Sequence, residues 1–469
     1  MNNFPLEEAT LSSLQLELAS GTLSSFDLVQ AYLGRIANKD GTNSILEINP
    51  DALFLACQMD RERKAEKLRG PLHGLPLLIK DNIDTADGMH TSAGTLVLAD
   101  NYAKQDAFIV GKLREAGAII LGKVNMTEWA NFMSEPMPNG FSARGGQVRN
   151  PYGSFDVGGS SSGTGAAIAN NLAAAGIGTE TSGSILSPSS SNSLVGIKPT
   201  VGLVSRSGII PIAHSQDTAG PMTRSVEDAA ILLQVMAGTD KEDPATLSAP
   251  ALPDYTASLQ KEGLKGKRLG IDGHTLDSLP PEKRELMDKA FTVLRAQGAE
   301  LINVQVPKIT RESSVLYHEF KHGVNRYLRK VSAHLPAHTL KEVMEWNRIN
   351  TGAALVHGQD ILEAAEKTDG MLKQAEYLQD RLADIRESRT EGLDPVMADA
   401  KLDAIIFPSY YGCDIAAKAG YPSITVPAGY TEAGEPFGIT FTAGAFEEST
   451  LIEIGYGYEC ATKHRKAPK

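Results

Sequence analysis

The sequence predicts an α/β protein with a mixed central β-sheet flanked by α-helices. Two observations carry this prediction. Short apolar runs alternate with amphipathic segments along much of the chain, which is typical of strands that alternate with helices. The chain has 469 residues, of which 42 % are hydrophobic and 22 % charged, so it is long and apolar enough to bury a substantial core.

The N-terminal half supplies most of this alternation. A capped amphipathic helix is predicted at 25–33, and a second helix, with its charges on one face, at 51–68. The apolar, Pro-bounded run at 75–80 predicts a buried strand. The same patterns predict a helix at 106–116, a strand at 118–122, a short helix at 127–132, an Ala-rich helix at 166–174 and a strand at 176–178.

The C-terminal half repeats the pattern around a long helical segment. A capped helix is predicted at 226–237, and strands at 267–271 and 301–304 flank a helix at 281–297, as in a βαβ unit. Residues 311–400 are dominated by helical patterns, and strands return at 402–407 and 423–426. The most linker-like stretch, 240–254, contains three prolines but fits a surface loop as well as a boundary.

Charge and cysteine content narrow the function classes. The formal net charge of −12 disfavours nucleic acid or an anionic membrane as partner, because both require basic patches. Cys57, Cys413 and Cys460 are too scattered to predict a disulfide framework or a metal cluster. We expect no secretory leader at the N-terminus and no spanning helix, which predicts a cytoplasmic enzyme.

Two Gly/Ser loops are the most informative feature of the chain. Residues 158–163 read Gly-Gly-Ser-Ser-Ser-Gly and residues 178–184 read Gly-Thr-Glu-Thr-Ser-Gly-Ser, and an Ala-rich run joins them. Glycines allow a backbone to approach a ligand closely, and the serines offer nucleophiles. Neither loop contains histidine, but Lys80 ends the apolar run upstream. Serines with one lysine predict an acyl-transfer site whose base is an amine.

The chain resembles the amidase signature family, and is most similar to its bacterial peptide-amidase-like branch. The resemblance covers nearly the whole chain in order, at segments 75–81, 145–151, 158–163, 178–185, 196–202, 216–222 and 420–423. It implies the amidase signature fold as a single domain over 1–469. The core catalytic segment would be 70–235, and the helices at about 311–400 would line the cleft.

The resemblance implies a Ser–cis-Ser–Lys triad, with Ser184 as nucleophile, Ser160 as bridging serine after a cis peptide, and Lys80 as base. The chemistry is consistent with this assignment. A lysine accepts a proton only when neutral, and burial behind an apolar strand disfavours the ammonium form. Ser160 would relay the proton from Ser184 to Lys80 and later return it to the leaving amine. No metal or cofactor is expected.

The resemblance also places an oxyanion hole on the turn before the nucleophile, built from the backbone N–H groups of Thr181, Ser182, Gly183 and Ser184. Ser182 departs from the family pattern, which usually has Gly, or Asp in the peptide-amidase branch. A positive φ at this position is therefore in question, and we expect the N–H to remain but the pocket to change shape.

Substrate preference is predicted from two further pairs of residues. Many relatives carry arginine two or three residues after the nucleophile, where this chain has Leu186 and Ser187. Without a guanidinium to bind a carboxylate, the expected substrate is a neutral primary amide or a C-terminal peptide amide. The resemblance suggests that the loop around Met133 and Ser134 helps to line the acyl pocket, although Met133 fits plain core packing equally well.

Three alternatives remain open at this point. Residues 318–322 spell His-Glu-Phe-Lys-His, so His318, His322 and a third ligand such as Glu342 would make a zinc metallopeptidase with Glu319 as base. Residues 159–163 also fit the Gly-x-Ser-x-Gly elbow of an α/β-hydrolase, with Ser161 as nucleophile. Finally, some family members supply ammonia within a tRNA-dependent amidotransferase complex. The oligomeric state is not predicted.

Overall fold

The computed structural model describes residues 6–469 and confirms the α/β class with a mixed sheet. Within this range, eleven strands form one continuous sheet and two short strands form a separate ribbon. The strands are β1 (Ile45–Ile48), β2 (Pro76–Lys80), β3 (Ile119–Val124), β4 (Phe141–Ser142), β5 (Gly146–Gln147), β6 (Ala175–Glu180), β7 (Val195–Lys198), β8 (Thr218–Thr223), β9 (Arg268–Asp272), β10 (Glu300–Val304), β11 (Ala404–Pro408), β12 (Ser423–Tyr430) and β13 (Pro436–Thr442).

Helices cover the sheet and fill the segment between β10 and β11. They are α1 (Leu11–Ser20), α2 (Ser25–Lys39), α3 (Ala52–Lys64), α4 (Phe108–Glu115), α5 (Ser162–Ala169), α6 (Leu186–Ser191), α7 (Val226–Met236), α8 (Gly273–Asp277), α9 (Pro281–Ala296), α10 (Val315–Leu328), α11 (Leu340–Ile349), α12 (Thr351–Ala354), α13 (Asp360–Glu366), α14 (Ala375–Ile385), α15 (Asp394–Ala400), α16 (Cys413–Ala419) and α17 (Glu448–Thr462). A π-helical stretch, Arg386–Leu393, joins α14 to α15. None of the helices in 6–469 is both long enough and apolar enough to cross a membrane.

The strand order is β1-β3-β2-β6-β8-β7-β12-β13-β11-β9-β10. Strand β2 pairs in parallel with β3 and β6, and β9 pairs in parallel with β10 and β11. The central strands β8, β7, β12 and β13 are antiparallel to their neighbours. The predicted βαβ unit is confirmed as β9, α9 and β10, whereas the middle of the sheet is less parallel than the alternation alone indicates.

Close packing explains the small residues around the Gly/Ser loops. Every residue of α5 is buried. A Cβ atom on Gly163 would lie 2.1 Å from the Asn125 carbonyl oxygen, and a Cβ atom on Gly176 would lie 2.6 Å from a Thr164 methyl carbon. Glycines at these contacts let the helix approach the strands closely, so packing rather than chain flexibility accounts for them.

Three expectations need correction. The Ala-rich helix begins at Ser162 and ends at Ala169, not at 166–174, because the chain must turn to enter β6 at Ala175. Residues 127–132 do not form an ordinary helix, since Trp129, Ala130 and Asn131 have φ values of 49°, 57° and 77°. Strands β1, β7, β8 and β13 were not predicted. Strand β8 contains Gly220 and Pro221, which usually argue against a central strand.

Candidate active site

The two parallel neighbours β2 and β6 bring Lys80 to the second Gly/Ser loop. Both strands run in the same direction, with Leu77 opposite Ala175 and Ile79 opposite Ile177. Their C-terminal ends therefore meet at one edge of the sheet, where open α/β folds commonly bind ligands. Lys80 is the last residue of β2, and Thr179 and Glu180 are the last residues of β6.

The Lys80 amine is buried and hydrogen-bonded to the predicted relay serine. Lys80 has no exposed surface, and its Nζ lies 2.8 Å from Ser160 Oγ. Burial lowers the pKa of the Lys80 ammonium to about 7, although the negative charges of Glu180 and Asp217 act in the opposite direction. A lysine in this environment has a substantial neutral fraction at neutral pH, as a general base requires.

Thr179 supplies the other two partners of Lys80. Lys80 Nζ lies 3.2 Å from the Thr179 carbonyl oxygen and 2.9 Å from Thr179 Oγ1. Asn82 Nδ2 donates to the same hydroxyl at 3.0 Å. A neutral amine has two N–H donors and one lone pair. If its two N–H groups bond to Thr179, the lone pair is directed toward the Ser160 hydroxyl.

The relay and nucleophile candidates lie on adjoining backbone segments. The peptide bond between Gly159 and Ser160 is cis, as the resemblance implies. The Thr127 N–H donates to the Ser160 carbonyl oxygen at 3.0 Å, and the Ser161 N–H donates to the Ser184 carbonyl oxygen at 3.2 Å. These bonds hold the first loop against the turn that carries Ser184, which is 6 % exposed.

The buried carboxylate of Glu180 organises the turn between β6 and α6. It accepts hydrogen bonds from the N–H groups of Gly183 at 2.8 Å, Ile185 at 2.7 Å and Leu186 at 2.9 Å. Burial raises the pKa of Glu180, and the nearby Lys198 charge opposes that effect. Because the Gly183 N–H bonds to Glu180, the N–H groups of Thr181, Ser182 and Ser184 are better placed than Gly183 to bind an oxyanion.

Ser182 is accommodated without a left-handed backbone. The residue with positive φ in this turn is Gly183, at 83°, and Ser182 does not adopt that conformation. The Ser182 hydroxyl donates to the Asp414 carboxylate at the start of α16 and lies 3.6 Å from Cys413 Sγ. The departure from the family pattern therefore joins the turn to α16 and does not distort its backbone.

A cavity of about 250 Å³ opens beside Ser184. Its walls include the turn 181–184, residues 130–132, and Asn139, Ile212, Leu316 and Tyr410. None of the residues described as lining it carries a charged side chain. Thr181 at its edge donates at 2.5 Å to the buried carboxylate of Asp217, which also accepts from the Ile212 N–H. Burial raises the pKa of Asp217 to about 6.

Met133 and Ser134 follow residues 130–132 along the chain. Residues 130–132 line the cavity, whereas Met133 and Ser134 are not among its lining residues. Met133 is 2 % exposed and belongs to a hydrophobic cluster with Trp129, Phe132 and residues of α10 and α11. The Ser134 hydroxyl lies 2.5 Å from both the His357 carbonyl oxygen and an Asp360 carboxylate oxygen, which share its single proton. Both side chains hold the wall formed by 130–132.

The His-Glu-x-x-His segment lies in α10, where other contacts engage its side chains. The Glu319 carboxylate accepts from the Ser215 N–H and the Tyr377 hydroxyl, each at 2.9 Å. His322 Nδ1 lies 2.9 Å from the Gly370 carbonyl oxygen, and Glu342 accepts from the His338 N–H. Across residues 6–469, no three His, Cys, Asp or Glu side chains converge so as to hold a metal ion. Residues 6–469 therefore contain no set of side chains that could bind the zinc ion of a metallopeptidase.

The nucleophile-elbow alternative also lacks its geometry. Ser161 follows a loop, whereas the elbow requires a strand, and its hydroxyl is directed back to the sheet, donating to the Thr179 carbonyl oxygen at 3.1 Å. Its Oγ also accepts from the Thr179 N–H at 3.3 Å. Ser161 thus stabilises the end of β6.

Sequence reasoning missed several residues that build the site. Thr179, Asn82 and Glu180 each contact the candidate catalytic groups or the nucleophile turn. Their positions next to Lys80 and within the second Gly/Ser loop were the available signal. Tyr410, just after β11, and Asp414, in the first turn of α16, in contrast come from a distant part of the chain, and nothing local in the sequence marks them.

Comparison with known proteins identifies the family of this chain. The amidase family model matches residues 27–452. The chain is similar to the solved native peptide amidase from Stenotrophomonas maltophilia, with 43 % identity, a TM-score of 0.94 and coverage of 99 % of each chain. It is 40 % identical to an Arabidopsis thaliana protein named "Probable amidase", over all of this chain and 93 % of that one. It is also 32 % identical to a glutamyl-tRNA(Gln) amidotransferase subunit of Alkalilimnicola ehrlichii, over 99 % of each.

The family match and the likeness to peptide amidases define an amide-hydrolysing enzyme. The chain belongs to the amidase signature family, in which it resembles the bacterial peptide amidases.

Proposed function

We propose that this protein hydrolyses a neutral primary carboxamide, either a small molecule or the C-terminal amide of a short peptide, through an acyl-enzyme on Ser184. The observation that carries the proposal is the fully buried Lys80 amine, 2.8 Å from Ser160 Oγ. Such an amine can act as a base near neutral pH, and the cavity beside Ser184 gives a substrate access to the nucleophile.

The proposed reaction has two halves. Ser184 Oγ attacks the amide carbon while its proton passes to Ser160 and the Ser160 proton passes to Lys80. The developing oxyanion accepts hydrogen bonds from the N–H groups of Thr181, Ser182 and Ser184, and Glu180 keeps Gly183 in the turn. The proton then returns through Ser160 to the nitrogen, the C–N bond breaks and ammonia leaves. Water, activated by the same groups, hydrolyses the ester on Ser184.

The preference for neutral substrates rests on the cavity walls. Leu186 and Ser187 occupy the positions after the nucleophile where many relatives carry arginine, and the described lining is uncharged. A carboxylate on the acyl group would lose its hydration without gaining a cationic partner. Met133 and Ser134 support the acyl side of the cavity indirectly, by holding Phe132 and its neighbours.

A panel of neutral primary amides of graded size, from acetamide to N-acetylated dipeptide amides, tests the substrate class by ammonia release. Acid-bearing amides of matched size should be poorer substrates. We expect Ser184→Ala to lower turnover by about 10⁴-fold or more, the scale on which loss of a serine nucleophile acts. Ser191→Ala, in the following helix α6, should hydrolyse the panel normally.

The acyl-enzyme itself can be trapped. Acid quenching during turnover, followed by peptide mass spectrometry, should find the acyl group on the peptide that contains Ser184 and not in the Ser184→Ala variant. Rapid hydrolysis by Ser184→Ala would reject the nucleophile. The alternative role, ammonia supply within a larger complex, draws on the amidotransferase relatives. That role predicts little activity on simple amides unless a partner is added.

A further inference from the structure

Asn139 lines the cavity together with Gly159 and Ser184, and hydrogen bonds fix the orientation of its side chain. Asn139 Nδ2 donates to both carboxylate oxygens of Asp156, at 3.2 and 3.1 Å. An ionised carboxylate only accepts hydrogen bonds, so the amide nitrogen must face Asp156. The amide oxygen, Oδ1, must then lie on the opposite side of the group.

Asn139 Oδ1 lies directly against the residue that precedes the relay serine. A Cβ atom on Gly159 would lie 2.5 Å from Asn139 Oδ1, which only a glycine at this position allows. Asn131 Nδ2 donates to the same oxygen at 3.0 Å. An amide oxygen has two lone pairs, and Asn131 uses one of them. The second can accept a hydrogen bond from a group in the cavity.

We propose that Asn139 Oδ1 accepts a hydrogen bond from an N–H of the scissile carboxamide and so makes the enzyme selective for amides over esters. This inference rests on the proposed function. The leaving nitrogen must approach Ser160 to receive its proton, and Gly159, which joins Ser160 to this wall, is the residue against which Oδ1 lies. An ester presents a lone-pair oxygen where the amide presents an N–H. When an ester binds, the second lone pair of Asn139 Oδ1 therefore has no donor. Oδ1 instead faces the ester oxygen, which is also an acceptor.

Asp156 acts here as a positioning residue. Without its carboxylate, the Asn139 amide could rotate and present its nitrogen to the cavity, which would reverse the preference. Asp156 also accepts from the Gly158 N–H at 2.6 Å, so removing it would disturb the first Gly/Ser loop as well. Substitution at Asn139 is the cleaner test.

The experiment compares kcat/KM for N-acetyl-L-phenylalaninamide with kcat/KM for the methyl ester of the same acid. Because the acyl groups are identical, the ratio isolates the leaving group. Asn139→Leu keeps the branching at Cγ and removes the acceptor, and Asn139→Ala removes both. Gln147→Ala is the matched control, since Gln147 donates to the Asn139 backbone carbonyl at 2.7 Å but does not line the cavity. Thermal unfolding of each variant checks that it is folded.

We expect the amide-to-ester ratio to fall by about 10- to 100-fold in both Asn139 variants, as for one lost hydrogen bond in the transition state. Ester hydrolysis should stay at or above the wild-type rate, because the acceptor that opposes the ester oxygen is gone, and Gln147→Ala should leave the ratio unchanged. An equal loss on amide and ester, or an unchanged ratio, in the folded variants would overturn the inference. Neither of these results would contradict the proposed acyl-enzyme on Ser184, because the Ser184→Ala variant tests that proposal separately.

Discussion

Two lysines at the ends of neighbouring strands make an instructive comparison. Lys80 ends β2, and Lys123 is the penultimate residue of β3, opposite Ile79. Both are fully buried, and burial lowers the pKa of both. Lys80 Nζ, however, faces Ser160 and Thr179, whereas Lys123 Nζ donates to the Ile83 carbonyl oxygen at 2.6 Å and to Thr91 Oγ1 at 2.8 Å.

The difference shows that burial alone does not make a lysine a base. Lys123 has the charges of Asp81, Asp84, Asp87 and Glu47 nearby, which favour its ammonium form and tie it to the fold. Lys80 has a hydroxyl partner on the loop that also bounds the cavity. The two lysines differ in whether a hydroxyl group links the amine to the cavity where a substrate would bind.

Replacing each lysine by methionine should separate catalysis from stability, and within this comparison it has the largest expected effect on turnover. Lys80→Met removes the base and should lower kcat by about 10³-fold or more, in the range of lost triad members. Lys123→Met should keep most of its turnover. It should lower the free energy of unfolding by about 3 kcal/mol, because it removes a buried cation from a cluster of carboxylates and leaves the Ile83 carbonyl oxygen and Thr91 Oγ1 without their donor.

Ammonia release from acetamide and urea unfolding followed by circular dichroism measure the two effects. If Lys123→Met loses turnover as completely as Lys80→Met while remaining folded, the comparison fails. The comparison also fails if Lys80→Met keeps its turnover.

Thr179→Val sharpens the comparison with a smaller effect. It removes one of the two acceptors that orient the Lys80 amine and leaves the backbone carbonyl in place. With the lone pair less well directed at Ser160, kcat/KM should fall by about tenfold. Thr179→Ser retains the hydroxyl and should restore the rate. Steady-state kinetics on one primary amide measure kcat/KM for both variants. Equal values for Thr179→Val and Thr179→Ser would show that the Thr179 hydroxyl does not orient the Lys80 amine.

The pH dependence is the mildest test. Since the Lys80 pKa is lowered to about 7, the neutral base accumulates as pH rises, and kcat/KM should increase to a plateau above about pH 8. At pH 6, it should be about tenfold lower. A profile flat from pH 6 to 9 contradicts the assignment.

The predicted fall of kcat/KM at low pH should not result from unfolding. A lysine whose folded pKa lies below its unfolded value takes up more protons when unfolded between about pH 7 and 10, so its contribution to stability rises with pH there. Below about pH 7 both states are protonated and the contribution is constant. A loss of rate between pH 7 and 6 without a change in unfolding temperature would therefore report on catalysis.

Sequence reasoning was most successful where the signal was local. The apolar run before Lys80 predicted a buried strand, and the structure has one at Pro76–Lys80. The capped run after Ser225 predicted a helix, and Ser225 does accept a hydrogen bond from the Asp228 N–H. Strand β8 escaped prediction because pairing with β6 and β7 stabilises it despite its Gly and Pro.

The left-handed segment at Trp129–Asn131 was beyond local prediction for a similar reason. Its composition favours a helix, but the Trp129 N–H bonds to the Ala93 carbonyl oxygen, and the side chains pack against α10. Tertiary contacts stabilise backbone conformations that isolated residues rarely adopt.

By itself, the sequence determined the α/β class, the family and the candidate residues Lys80, Ser160 and Ser184, because strand periodicity and loop motifs depend on near neighbours. Only the tertiary structure decided which of several buried lysines meets a serine and which peptide N–H groups remain for an oxyanion. It also decided how Asp156 orients the Asn139 amide. Those outcomes depend on distances between strands and loops that are far apart along the chain, and sheet pairing sets them.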